Sequence, residues 1–267
     1  MSQVVTPNRL QVNCLCVGAD PVEWEEGLSS VRLDPSRAFK VDRGVGVFSA
    51  TIRGRDVVVK VWELSSLVSR IQSWAKASRA WRHWRGAAWL SENGFPTARP
   101  LVLARDRGPD GPREWLVMER LDGPTLLEAI TSGESSARWQ HALAAAAADQ
   151  VSAMVGRGRY NRDHKPSNLV VVVGSGDSGG PILAVIDCVA IRPCRRFDFG
   201  AMKWMLSCLV IEPMGIGLPV RRALCMRALA TIQAVSWWGE ITGMITGRGD
   251  PKPRVDPRRA LTGTGAS

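Results

Sequence analysis

The stretch Arg162-Asp163-His164-Lys165-Pro166-Ser167-Asn168 sets an aspartate five positions before an asparagine, and nineteen residues further on Asp187 closes the apolar run Val185-Ile186. One aspartate can orient an acceptor hydroxyl and take its proton. The asparagine and the second aspartate supply hard oxygen ligands of the kind that hold magnesium on nucleotide phosphates. The ordinary reading of a lone aspartate is a turn or a helix cap. The order and spacing of the whole set favour phosphoryl transfer instead, with Asp163 as general base and Asn168 and Asp187 as metal ligands. Lys165 is placed to neutralise charge on the transferred group.

Upstream of this loop the pattern is strand-like. Val45, Val47, Phe48 and Ile52 precede a turn at Gly54-Arg55-Asp56, and Val57-Val58-Val59-Lys60-Val61-Trp62 follows, rich in β-branched residues. A lysine on such a strand can pair with the α- and β-phosphates of ATP. Gly44-Val45-Gly46-Val47-Phe48-Ser49 carries two of the three glycines of a phosphate-covering loop, against the plain alternative of a turn between strands. The spacing predicts one long helix over 64–93, stopped by Gly94, with Trp74, Trp81 and Trp84 on a common stripe. A hairpin follows, its return strand being Trp115-Leu116-Val117-Met118-Glu119, and a linker near 119–123 is where the backbone of Glu119 and Leu121 would meet an adenine edge.

Beyond the linker the character turns helical. Pro124 suits the first position of a short helix, and 135–155 reads as an alanine-rich helix with Leu143, Ala147, Val151, Met154 and Val155 buried. Two apolar strands at 169–173 and 182–186 flank a Gly/Ser/Asp turn, and helices are expected near 198–212 and 218–240. The organisation expected is a leader over 1–34, an N-lobe over 35–120, a C-lobe over 121–246 and a disordered basic tail over 247–267. That order suits an α+β fold of two lobes with a cleft between them.

Composition narrows the classes. The chain has 267 residues, 45% of them hydrophobic, and 35 Lys and Arg stand against 25 Asp and Glu for a formal net charge of +10. Such a balance favours polyanionic partners without choosing among them: nucleotide phosphates, phosphorylated glycolipids, acidic membrane surfaces or nucleic acid. Cys14, Cys16, Cys188, Cys194, Cys208 and Cys225 show neither a CxxC pair nor a metal-type histidine spacing, so reduced thiols in a cytoplasmic protein are expected. No apolar run approaches the roughly 20 residues of a membrane span.

With VVVK ending at Lys60, Ser78-Arg79-Ala80-Trp81-Arg82, the turn Gly94-Phe95-Pro96-Thr97-Ala98-Arg99-Pro100-Leu101, the 115–119 strand, the 162–168 loop and Val185-Ile186-Asp187, the chain resembles the lipopolysaccharide core kinases. These are the bacterial heptose and Kdo kinases, and the resemblance covers about residues 40–212. It implies a two-lobed protein-kinase-like fold, ATP and Mg2+ as cofactors, a sugar or glycolipid acceptor, peripheral contact with an anionic inner membrane and no specific nucleic acid partner. Several positions depart from the pattern. The helix carries His83 where relatives often place a glutamate for the strand lysine, and Glu92 lies only at its end. His164 replaces an apolar residue, Tyr160-Asn161 replaces the usual histidine, and Cys188-Val189 follows Asp187 in place of Phe-Gly. These departures keep a non-catalytic pseudokinase, binding nucleotide or a partner without turnover, as the alternative.

Three further features compete with this reading. Asp198-Phe199-Gly200 spells a kinase metal motif, but its position at the start of a helical pattern makes Asp198 a cap. Gly176-Asp177-Ser178-Gly179-Gly180-Pro181 matches a serine-protease nucleophile motif without the partner histidine context, and a turn between strands explains it. The tryptophan- and arginine-rich helix at 64–93 can be read as a membrane-surface helix or as a helix packed by its tryptophan stripe, and the second reading is preferred.

Overall fold

The computed structural model describes residues 13–17, 21–31, 33–34, 36, 38–42, 44–108, 111–132, 136–173, 180–218 and 220–246. The chain divides into two compact units, Met1–Leu121 and Asp122–Ser267.

Unit 1 is built on β1 (Asn13–Val17), α1 (Pro21–Ser30), β2 (Ala38–Asp42), β3 (Val45–Ile52), β4 (Arg55–Glu63), α2 (Leu67–Trp74), α3 (Arg79–Glu92), β5 (Pro100–Gly108) and β6 (Gly111–Glu119). The strands form an antiparallel sheet in the order β1-β5-β6-β4-β3-β2. Alternation along β4 sorts its side chains. Val57, Val59 and Val61 join a buried cluster with Ile52, Val102, Trp115 and Val117, sealed by Trp24 and Leu28 of α1. Lys60 and Trp62 therefore point to the other face, where α3 packs on β5 and β6 and His83 meets the Trp62 ring edge-on at 6.4 Å. Residues 13–17 and 21–30 of the expected leader are thus folded: β1 pairs with β5, and the Cys14 N–H donates to Glu25 at 2.9 Å.

The single helix expected over 64–93 is two. α2 ends in a Schellman motif, with Lys76 N–H donating to Ser73 O at 3.1 Å and Ala77 N–H to Gln72 O at 2.7 Å. Lys76 takes a left-handed φ of 54°, and Ser78 caps α3 by accepting from Trp81 N–H. The tryptophan stripe is broken with the helix: Trp81 is buried, and Trp74 is 84% exposed. At the other end Gly94 stops α3 as expected, at φ 74°.

Unit 2 contains α4 (Leu126–Thr131), α5 (Ala137–Gly156), β7 (Arg159–Asn161), β8 (Leu169–Val173), β9 (Pro181–Val185), β10 (Ile191–Pro193), α6 (Phe199–Gly215), α7 (Arg222–Thr231) and α8 (Trp238–Thr246). β8 pairs with β9 and β7 with β10, both antiparallel. Leu143, Ala147, Val151, Met154 and Val155 of α5 are buried as the pattern predicts. Pro124 lies outside its helix, because Thr125 is the cap and forms a capping box with Glu128. The helix expected over 218–240 is also divided, at Gln233, whose φ is 56°. Gly123 is required by geometry: its φ is 134°, and a Cβ there would lie 2.3 Å from the carbonyl oxygen of Val171. Residues 176–179 of the protease-like motif, the tail from 247 and residues 1–12 lie outside the described residues.

Candidate active site

The acidic loop is held in unit 2 by strand register. Leu169 pairs with Val185, so the segments leaving β8 and β9 at that end run side by side, and Ile186 N–H donates to Asn168 O at 3.0 Å. Pro166 opens a 3-10 turn, Pro166–Asn168, which closes when Asn168 N–H donates to Lys165 O at 2.9 Å. The turn folds Asn168 back on Asp163. Its Nδ2 donates to the Asp163 carbonyl at 2.9 Å and to the carboxylate Oδ2 at 3.1 Å. Lys165 Nζ lies 3.5 Å from the same Oδ2. Asp163, Lys165 and Asn168, expected from sequence, are therefore one cluster.

Asp187 is joined to that cluster through a residue the sequence did not single out as functional. Asn161 is fully buried; its Oδ1 accepts from Asp163 N–H at 3.0 Å and its Nδ2 donates to Asp187 O at 3.2 Å. One amide side chain thus ties the backbone of Asp163 to the backbone of Asp187. Helix α6 grips the same loop. Glu212 accepts from Ser167 N–H at 2.8 Å and from Ser167 Oγ at 2.6 Å, and Trp204 Nε1 donates to Arg162 O at 3.0 Å. The available sequence clue was Glu212 itself, the one acidic residue in an otherwise largely apolar α6.

His164, next to Asp163, is turned into the core. It is completely buried, and neither ring nitrogen has a hydrogen-bond partner among the described residues. Burial lowers its pKa to about 4, so it is a neutral core residue in the place of the usual apolar one. Asp198 accepts from Ala201 N–H at 3.0 Å and caps α6, as the reading of the decoy motif required.

The donor set suits a small hard cation. Both bonds of the Asn168 amide use Nδ2, so Oδ1 is the atom that could ligate a cation, and the Asp187 carboxylate, whose Oδ1 accepts from Val189 N–H at 3.3 Å, is the second candidate oxygen donor. No group of three or more His, Cys, Asp or Glu that could cage a metal occurs among the described residues. Two protein ligands, completed by substrate phosphates and water, is how Mg2+ is commonly held.

Unit 1 presents the remaining expected residues. Lys60 stands opposite Val47 on β3 and Leu116 on β6, on the face covered by α3. The buried carboxylate on that face is Glu114, from β6, and it is engaged by Ser73 and Arg105. The expected phosphate-covering segment is a hairpin: Asp42 pairs with Val45, Gly44 sits in the tight turn, and Gly46 lies within β3 between Val41 and Val61. Glu119 forms an ion pair with Arg99 at 2.5 Å, and its N–H donates to Arg99 O at 3.0 Å. An adenine contact through that N–H would compete with the existing bond.

Comparison with known proteins places this arrangement. No family model and no curated protein matches the sequence. Among solved structures, the chain is similar to WaaP in complex with acyl carrier protein, with a TM-score of 0.58 and 19% identity over 86% of this chain and 92% of that one. It is also similar to the Rio2 kinase from Chaetomium thermophilum, solved as an ADP/Mg2+-phosphoaspartate complex, with a TM-score of 0.50 and 15% identity over 87% of this chain and 75% of that one. The protein has the protein-kinase-like fold.

Proposed function

We propose that the protein is an ATP-dependent phosphotransferase acting on an alcohol, with a sugar hydroxyl of a lipopolysaccharide-like glycolipid as the acceptor. The observation that carries the reading is the cross-linked cluster of unit 2: Asp163 bonded to Asn168, flanked by Lys165 and tied through Asn161 to Asp187. In the reaction, Asp163 accepts the proton of the acceptor hydroxyl as its oxygen bonds the γ-phosphorus. The bond from that phosphorus to the β–γ bridging oxygen breaks, and ADP leaves. Lys165 offsets negative charge on the transferred group, and Lys60 holds the α- and β-phosphates. Asn168 and Asp187 would hold Mg2+, which when bound neutralises phosphate charge and orients the γ-group. The sugar acceptor rests on the resemblance to lipopolysaccharide core kinases, whose member WaaP shares the fold.

The test is thermal stabilisation by ATP with Mg2+, compared between the natural chain and Asp187→Ala. At about 100 times the dissociation constant, binding adds about 2.7 kcal/mol to stability. A metal-dependent shift that disappears in the variant is the expected result. A shift without turnover on any sugar acceptor would instead favour a nucleotide-binding pseudokinase. Where turnover is found, Asp163→Ala should lower kcat by about 100-fold or more.

A further inference from the structure

Helix α2 is amphipathic in the wrong direction for a core element. Its one buried residue is Ser73, bonded to Glu114 and Arg105 of the sheet. On the opposite side of the helix, Leu67, Val68, Ile71 and Trp74 are between 55% and 84% exposed. At 100° per residue, these four occupy an arc centred about 150° from Ser73. The helix is pinned by more than that serine. Ser66 and Ser69 close a capping box at its start, Arg70 Nε donates to Leu64 O at 3.0 Å, and the Schellman motif fixes its end. A firmly held helix presenting two aliphatic residues, a valine and a tryptophan outward is not explained by the packing of unit 1.

The surrounding charge says what covers it. Between Leu64 and Ser91 the chain carries Arg70, Lys76, Arg79, Arg82 and Arg85 and no Asp or Glu. Arg70, Lys76, Arg79 and Arg85 are exposed. The apolar surface is the outer side of an exposed helix; Arg70 is on that helix, and Lys76, whose Nζ lies 5.3 Å from the Trp81 ring, and Arg79 follow within five residues of its end. An exposed helix bearing tryptophan, in a stretch whose only charges are Lys and Arg, matches the boundary between acyl chains and anionic headgroups, where aromatic rings settle and basic side chains meet phosphate. We infer that the α2 ridge seats this protein on an anionic phospholipid bilayer, with Leu67, Val68, Ile71 and Trp74 entering the headgroup–acyl boundary and the α2–α3 cations against the lipid phosphates. No helix among the described residues is long and apolar enough to cross a membrane, so the attachment is peripheral.

The test uses the full chain and sedimentation with vesicles of phosphatidylcholine alone or mixed with phosphatidylglycerol. Binding to the mixed vesicles is expected. Trp74→Ser and the double variant Leu67→Ser/Ile71→Ser should each lower the partition coefficient about tenfold or more, with the thermal midpoint held because these side chains contact little in the fold. Arg79→Glu should lower it by a similar factor on mixed vesicles only. Absence of binding, or binding that survives the apolar variants because the basic tail alone carries it, overturns the inference. So does a lipid-free dimer that Trp74→Ser dissolves, which would assign the ridge to a second copy of the chain. Vesicle binding needs neither nucleotide nor acceptor, so its outcome is independent of the phosphotransfer reading.

Discussion

His164 sits beside the proposed base and takes no part in its chemistry. In the unfolded chain its imidazole takes a proton below its ordinary 6.5, whereas burial holds it neutral in the fold down to about 4. Between those values the unfolded state binds more protons, so stability is complete above about pH 6.5 and declines as pH falls through the window. From pH 7 to pH 5 this one residue removes about 2 kcal/mol. Urea unfolding at the two pH values should show His164→Leu losing that much less than the natural chain. Equal losses in the two proteins would mean that the folded imidazole is not held neutral. The sequence exposed this position because the departure lies inside a recognisable motif. Asn161 was visible there only as a replaced histidine. Its role depends on Asp187 lying within reach, and that proximity comes from the pairing of β8 with β9 and of β7 with β10. Ser167 and Glu212 are 45 residues apart, and no local spacing joins them.

At the scale of elements, hydrophobic periodicity located the strands and helices, and the errors share one physical cause. Gly94 ends α3 with a left-handed residue, and glycine announces that conformation. α2 and α7 end with the same hydrogen-bond pattern built on Lys76 and Gln233, residues that give no such warning. Both breaks therefore read as continuous helix, and the first hid the change from an outward Trp74 to an inward Trp81. The left-handed conformation costs a residue with a Cβ roughly 1–2 kcal/mol. Glycine removes that cost but adds roughly 0.5–1 kcal/mol of backbone entropy to the unfolded chain. Gln233 is exposed, so Gln233→Gly should stabilise the protein by about 0.5–1 kcal/mol. A denaturant midpoint that falls in this variant would show that the glutamine side chain contributes more than the strain removes.

For the whole molecule, the order of strands, one long helix, strands and a helical half suited two lobes, because those elements are long enough to show their period, and the resemblance carried by the 94–101 turn and the 162–168 loop made that fold protein-kinase-like. The N-terminal elements are not long enough to show theirs. β1 spans five residues, and among its described side chains α1 buries Trp24 and Leu28, so neither forms a stripe that stands out from loop sequence. Those two side chains are nevertheless 5% and 0% exposed and cover Ile52, Val59 and Val117. Removing residues 1–34 would uncover that cluster and leave β5 as an open sheet edge, a template for aggregation. Loss of the two buried side chains alone costs more than about 4 kcal/mol, against the roughly 5–15 kcal/mol that holds a typical domain together. The truncated chain should therefore express as aggregate or melt far below the full chain when followed by circular dichroism. If it melts within a few degrees of the full chain, residues 13–17 and 21–30 lie on unit 1 without supporting it, and the kinase-like core begins at β2.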